Sequence, residues 1–291
     1  MKKGKIKHIS AAGLARSIGG NVVNFIFLCI VAAFMALPLL YVVSNAFKPL
    51  DEIFIYPPRL YVIHPTVKNF KDLSSLMSQS WIPFSRYIFN SVFVTAIATF
   101  WQIILASMAA YVLEKREFPG RKLFFNVVVT SLMFTATVTA IPNYIVMNSL
   151  HMVNTYFSLI LPAMASSMGL YLMKQFISTS VPNAILEAAR VDGAREIRIF
   201  WQIVMPLVKP AWLTLIIFSF QSIWSTTGNG YIYTETMKPL NYALNQVVSG
   251  GIARTGSAAA VSFIMMFPPL VVFIVSQSNI LNTMASSGIK E

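Results

Sequence analysis

The chain has 291 residues, of which 56% are apolar and only 11% charged. Soluble domains carry about 25% charged residues, and a single soluble core cannot hide this much apolar surface; disorder, which needs low hydrophobicity, is excluded too. The net charge of +12, from 22 Lys and Arg against 10 Asp and Glu, reads on such a chain as a membrane topology signal rather than a nucleic-acid surface.

The expected fold class is an all-α membrane protein with six transmembrane helices. Residues 1–20 form a basic N-terminal segment with Lys2, Lys3, Lys5, Lys7 and Arg16. The first span is expected over 21–43. It holds the single cysteine, Cys29, which has no disulfide partner and no metal-ligand spacing. Its apolar stretch exceeds the about 7–15 residues of a signal peptide, and Leu37-Pro38-Leu39-Leu40-Tyr41 stands where a cleavage site is needed. An uncleaved span is therefore expected. An external segment, 44–86, follows with Pro49, Pro57, Pro58, Pro65 and Pro83. The second span is placed over 87–113. The next uncharged window, 123–173, is 51 residues long, against about 20 for one spanning helix. It divides at its polar stretch, 148–154, into spans over 123–147 and 156–173. A short fifth span is placed over 211–225, with its start expected within 203–210. An external loop, 226–256, carries Gly228-Asn229-Gly230. The sixth span, 257–281, leads to the tail, 282–291. Residues 21–281 thus form one six-span domain. Fifteen Lys and Arg lie on the side of the termini and seven on the other. The richer side belongs in the cytoplasm, so both termini are expected inside.

No Asp, Glu, Lys or Arg falls inside the six expected spans. Ion-coupled carriers usually keep ionisable groups at membrane depth, although backbone carbonyls also bind sodium. A stand-alone ion-coupled secondary carrier therefore remains only as the alternative function. The chain has no G-x-x-x-x-G-K-[ST] loop for ATP. It has no G-x-S-x-G or H-E-x-x-H motif. His8, His64 and His151 have no metal-ligand partner at i+3 or i+4. No catalytic residue and no metal ligand is assigned, and an enzyme is not expected.

The cytoplasmic segment 174–210 is the most patterned. From Ser178 it reads STSVPNAILEAARVDGAREIRIFWQIVMPLVKP. Ser180 or Asn183 suits a helix cap and Pro182 a first turn. Ile185, Leu186, Ala188 and Ala189 favour helix, and Asp192-Gly193 ends it, since glycine tolerates the left-handed stop position. A second helix is expected from Ala194 to about Val204, with Pro206 and Pro210 marking the turn into the fifth span. Periodicity alone does not separate a docking element from a surface helix that snorkels its arginines into headgroups.

The motif separates them. Glu187, Ala188, Ala189, Arg190, Asp192, Gly193, Ala194, Phe200, Ile203, Pro206 and Pro210 resemble the EAA signature of ABC importer membrane subunits. Met205 stands where leucine is usual, a nearly volume-conserving change. Further along the chain, Asn90-Ser91, Ala109-Ala110-Tyr111, Phe118-Pro119-Gly120, Ile141-Pro142, Asn154-Thr155-Tyr156 and Leu159-Ile160-Leu161-Pro162 resemble the sugar-importing branch. The tail Ser286-Ser287-Gly288-Ile289-Lys290-Glu291 is similar to that of permeases for complex oligosaccharides. Of the family's Trp-Asn and Pro-Leu elements, only Trp224 and Pro239-Leu240 survive here.

The resemblance implies a type I importer permease of the bacterial cytoplasmic membrane, forming half of a translocation pore. It implies a homologous second permease chain, two ATPase subunits that bind ATP and Mg, an extracytoplasmic sugar-binding protein, and a lipid bilayer around the chain. It implies no cofactor in this chain and no nucleic acid. The glycine-linked helices would dock in an ATPase subunit, with Glu187 anchoring them and Gly193 permitting the bend. The external loop 226–256 would reach toward the binding protein. Phe218, Gln221, Ser222 and Ser225 share a helix face that suits a sugar path, as do Thr135 and Thr139 on the third span. The preferred reading of these polar positions is contact between helices.

Overall fold

A computed structural model describes residues 18–78, 81–228 and 230–287, and every regular element among them is helical. The basic segment before Ile18 and the last four residues of the tail lie outside the described residues. The first helix, α1 (Ile18–Phe47), carries Val22–Phe47 at a mean hydropathy of 2.7, and none of its most apolar window is buried. At about 1.5 Å per residue its 30 residues exceed a bilayer core of about 30 Å. Helix α2 (Lys68–Ser78) precedes α3 (Phe84–Lys115), the long central helix. Then come α4 (Arg121–Ser131), α5 (Ala136–Ser149), α6 (Phe157–Met164) and α7 (Ser167–Ser180). Helices α8 (Asn183–Val191) and α9 (Glu196–Leu207) lead into α10 (Lys209–Trp224). The last two are α11 (Leu240–Val248) and α12 (Thr255–Ser287).

Among the described residues four helical stretches suffice by length and composition to cross a bilayer, and six do if each of two bent pairs counts as one. The expected third span is one of those pairs. It is not straight: α4 and α5 meet at 115° across residues 132–135. Ser131 Oγ donates to the Val128 carbonyl or the Ser167 hydroxyl, both at 2.6 Å, and Thr135 is extended. Such side-chain bonds compete with the helical ladder. The fourth span continues to Ser180, past the expected 173, with a joint at Ala165 where Ser166 caps α7 by accepting the Gly169 N–H. The fifth begins at Lys209, inside the expected window, after an 80° bend centred on Val208.

The core has two ends and a middle. Toward Lys115, Ala106, Ala110 and Tyr111 of α3 pack with Met173, Ile177, Leu186, Ile199, Val204 and Leu215. In the middle Val94 and Ala98 meet Leu159, Ile160 and Ile223. Toward Phe84, Tyr87 joins Leu73, Trp224, Leu244 and Val261. Burial of these side chains contributes about 25 cal/mol per Å² of apolar surface removed from water. Within lipid, that driving force gives way to packing and backbone hydrogen bonding.

The segment 44–86 is folded despite its prolines. Asn69 Nδ2 donates to the carbonyls of Ala46 (3.0 Å) and Lys48 (2.8 Å), which a helix end leaves unpaired. Buried Glu52 accepts the backbone N–H groups of Ile63 and His64, each at 3.1 Å. Asn90, fully buried on α3, donates to the Thr236 and Lys238 carbonyls at 2.9 Å each and accepts the Tyr156 hydroxyl at 2.7 Å. Ser91 accepts the Leu240 N–H, and Asn154 accepts those of Tyr233 and Thr234. Two motifs distant in sequence, Asn90-Ser91 and Asn154-Thr155-Tyr156, thus converge on the segment after α10.

Candidate functional site

Helix α8 starts without a side-chain cap. Pro182, not Ser180 or Asn183, occupies the cap position, with extended backbone (ψ 139°), and Asn183 is the first helical residue. The reason lies on α3: Lys115 Nζ donates to the Val181 carbonyl at 2.6 Å and to Asn183 Oδ1 at 2.9 Å. The asparagine oxygen is thereby taken up by the ammonium.

The stop at Asp192-Gly193 forms as expected. Gly193 has φ +77°. Its N–H bonds the Arg190 carbonyl at 3.0 Å, and the Ala194 N–H bonds the Ala189 carbonyl at 3.0 Å. This paired pattern is the Schellman motif, which satisfies two of the carbonyls a helix end orphans. Ala189 and Ala194 also both pack against the core. The second helix starts at Glu196 rather than Ala194, because Arg195 is extended (ψ 150°). Over Phe200–Val204 it widens to a π-turn, in which Met205 N–H bonds the Phe200 carbonyl. Pro206 lacks an N–H and crowds the carbonyl four residues back, which accounts for the local widening.

The two short helices divide into a held face and a free face. Leu186, Ile199 and Phe200 are buried, and Ile203 packs beside them. Glu187, Ala188 and Asp192 are exposed. Ile185, Val191 (87% exposed) and Ile197 are exposed as well. Glu187 makes no hydrogen bond or ion pair among the described residues. The free face thus sets an unpaired carboxylate amid exposed branched apolar side chains.

A charged cluster the sequence reading missed sits behind that face. Glu196 accepts the Tyr111 hydroxyl at 2.7 Å and the Arg190 Nε–H at 3.0 Å, and it pairs with Arg116. The hydrogen bond it donates to Glu196 raises the pKa of the Arg190 guanidinium above its ordinary value. One further Arg190 nitrogen, Nη2, is buried without a partner. Tyr111 lies 85 positions from Glu196, so no local pattern could have revealed the pair.

Phe218, Gln221, Ser222 and Ser225 all lie on the exposed face of α10, opposite buried Ser219 and Ile223. A cavity of about 560 Å³ takes in Gln221, Trp224, Ser225 and Asn241, with Leu39, Met265, Pro269 and Phe273 as apolar wall. It includes neither Phe218 nor Ser222, nor Thr135 and Thr139. Thr135 is exposed at the α5 start, and Thr139 hydrogen-bonds back to the Thr135 or Ala136 carbonyl at 3.3 Å. Asn241, which the sequence reading did not name, donates to the Ser225 carbonyl. Burial alone would lower the Lys238 ammonium, but Tyr242 and Glu235 outweigh burial and raise it. No group of three or more His, Cys, Asp or Glu that fits a metal ion occurs among the described residues.

Residues 102–283 match the family model described as the binding-protein-dependent transport system inner membrane component. The protein LplC of Bacillus subtilis is 33% identical over 234 residues, covering 78% of this chain and 75% of LplC. A polygalacturonan/rhamnogalacturonan transport system permease protein, YtcP of the same organism, is 29% identical, covering 80% of this chain and 82% of its own. The diacetylchitobiose uptake system permease protein NgcG of Streptomyces coelicolor is also 29% identical, over 84% of this chain and 80% of its own. Among solved structures, a chain of a bacterial ABC transporter involved in alginate import superimposes with a TM-score of 0.74 at 21% identity, covering 90% of this chain and 98% of that one.

Proposed function

Since the chain belongs to the family of inner membrane components of binding-protein-dependent transport systems, we propose that it forms half of the pore of an ATP-driven oligosaccharide importer. Its homologues are permease subunits, and the chain is likewise a transport component rather than an enzyme. In our reading six spans cross the bacterial inner membrane with both termini in the cytoplasm, each bent pair counting as one. A homologous second permease completes the pore, two ATPase subunits supply ATP and Mg, and an extracytoplasmic sugar-binding protein delivers cargo at the end carrying 226–256. An oligosaccharide is favoured by the named cargo of two relatives and by the cavity beside Gln221, Ser225 and Asn241, whose amides suit sugar hydroxyls and whose wall suits the apolar faces of the rings. In this reading Gln221 and Ser225 border the substrate path directly. Phe218 and Ser222 flank it on the same helix, and Thr135 and Thr139 border it on α5.

The observation that carries the coupling role is the division of α8: Leu186 is 1% exposed and holds the helix to the bundle, while Glu187 is exposed and unpaired. In this reading the exposed face of Glu187, Ala188 and Asp192 enters a cleft of the ATPase, and Ala189, Arg190, Gly193, Ala194, Phe200, Ile203 and Pro206 shape the element behind it. The test is affinity purification from membranes that contain the ATPase and binding protein. The parent chain should retain the ATPase and support uptake that requires ATP. Glu187→Lys should insert at the parent level, since the side chain has no partner within the chain to lose, yet recover less than a tenth of the ATPase. Uptake driven by an ion gradient without ATP would instead support the stand-alone carrier. Undiminished ATPase recovery with Glu187→Lys would return α8 to a plain surface helix.

A further inference from the structure

We propose that the Tyr111–Arg116 end of α3 is a two-point clamp that grips α8 at both ends and carries its displacement into the centre of the bundle, with Glu196 and Lys115 as positioning residues. The inference rests on the coupling role given above for α8. Its first point is Lys115, whose ammonium donates to the Val181 carbonyl at 2.6 Å and to Asn183 Oδ1 at 2.9 Å, at the start of α8. Its second point is Glu196, just past the glycine turn. There one carboxylate takes the Tyr111 hydroxyl at 2.7 Å, the Arg190 Nε–H at 3.0 Å and the Arg116 guanidinium. Tyr111 lies in the last turns of α3 and Arg116 directly follows them, whereas Arg190 lies in the last turn of α8. Between the two points Leu186 packs into the same apolar cluster as Ala110 and Tyr111.

Two arguments assign this arrangement to transmission rather than to stability. The first is magnitude. Arg116, Arg190 and Glu196 are 43%, 32% and 37% exposed, and ion pairs so open to water contribute little to folding. The second is geometry. One grip would let α8 pivot against α3, whereas grips at both ends leave only joint movement. Helix α3 is the right recipient, because it packs on α6, α7 and α10 along its length. The same end is braced from the side, since Glu114 pairs with Lys174 of α7 at 2.7 Å. A network with two discrete arrangements is the physical requirement for carrying such coupling.

The test uses the whole complex, with ATPase and binding protein, in proteoliposomes. Cys29 is replaced by serine, and an environment-sensitive fluorophore is attached at Ser85→Cys, an exposed position at the far end of α3. Docking is read by ATPase recovery and the rate of MgATP hydrolysis, and transmission by the fluorescence change on adding MgATP. Glu196→Gln, Tyr111→Phe and Lys115→Met should keep recovery and hydrolysis within twofold of the parent. The fluorescence change should fall at least fivefold in Glu196→Gln and in Lys115→Met. Tyr111→Phe combined with Glu196→Gln should be no worse than Glu196→Gln alone, because Glu196→Gln already removes the charge that holds the same grip. A parent-sized fluorescence change in all three single variants overturns the clamp and leaves the importer reading standing. Loss of ATPase recovery in the variants also overturns it, because the contacts then serve docking. A parent complex that recovers ATPase but shows no change at Ser85 refutes movement of α3. A parent chain that recovers no ATPase sinks the importer reading and the clamp together.

Discussion

At Gly193 the backbone sits at φ +77°, and a Cβ built there meets nothing within 4 Å. Any cost of substitution is therefore conformational and not steric. A β-branched residue held in the left-handed region costs about 1–3 kcal/mol, and the two Schellman hydrogen bonds break if the turn relaxes. Asparagine tolerates that region. Uptake rates should accordingly rank Gly193→Asn above Gly193→Ala above Gly193→Val, with Asn keeping more than half of the parent rate and Val less than a tenth. A flat series would separate the turn from function. This stop was legible in the sequence because everything that makes it lies between Ala189 and Ala194. Glu196 was not, because its meaning comes from Tyr111 and Arg116 on another helix. The cap was misread for the same reason: Asn183 looked like a local cap, and Lys115 of α3 claims its oxygen.

At the level of elements, hydropathy located the apolar helices but not their bends. The run from Leu132 to Thr135 has neither glycine nor proline, and the break beside it involves Ser167 of a distant helix. Residue type did flag the 80° turn, through Pro206 and Pro210, although the hinge itself is Val208. The proposed orientation makes a direct prediction. Single cysteines at Lys71, Asp192 and Thr236, all exposed, are treated with an impermeant thiol reagent in intact cells lacking Cys29. Lys71→Cys and Thr236→Cys should label and Asp192→Cys should not; the reverse pattern inverts the topology. A second prediction concerns the convergence at Asn90. Asn90→Ala removes, from a fully buried position, the donor to the Lys238 carbonyl, one of two donors to the Thr236 carbonyl (Arg86 Nε remains, at 3.2 Å) and the acceptor of the Tyr156 hydroxyl. Each unsatisfied group costs about 1–3 kcal/mol. The purified protein should unfold at a clearly lower temperature than the parent, and Asn90→Asp, which keeps only the acceptor, should not rescue it.

For the whole molecule, the most telling feature is how much of it faces outward. Helix α1 buries none of its most apolar window, and Phe134, Val138 and Ile141 of the bent third element are exposed as well. So much unburied apolar surface calls for an apolar surrounding, which the proposed function supplies as lipid and a second pore-forming chain. The same incompleteness holds for energy. The sequence has no phosphate-cradling loop, whose backbone N–H groups and lysine such chemistry needs. In the proposed function the exposed face of α8, with its unpaired Glu187 carboxylate, docks on the protein that supplies this chemistry. Purified alone, the chain should therefore turn over no ATP above the background of a mock purification, at any concentration of cargo. Assembled with its ATPase and second permease, it should hydrolyse ATP, and loaded binding protein should raise that rate. The binding equilibria should be reciprocal, since coupling free energy between two sites acts equally in both directions: loaded binding protein should change the affinity of the complex for ATP by the same factor by which ATP, trapped unhydrolysed, changes its affinity for the binding protein. Hydrolysis by the lone chain, or an assembled complex whose ATPase ignores loaded binding protein while uptake proceeds, would contradict a subunit that works only by linking the two.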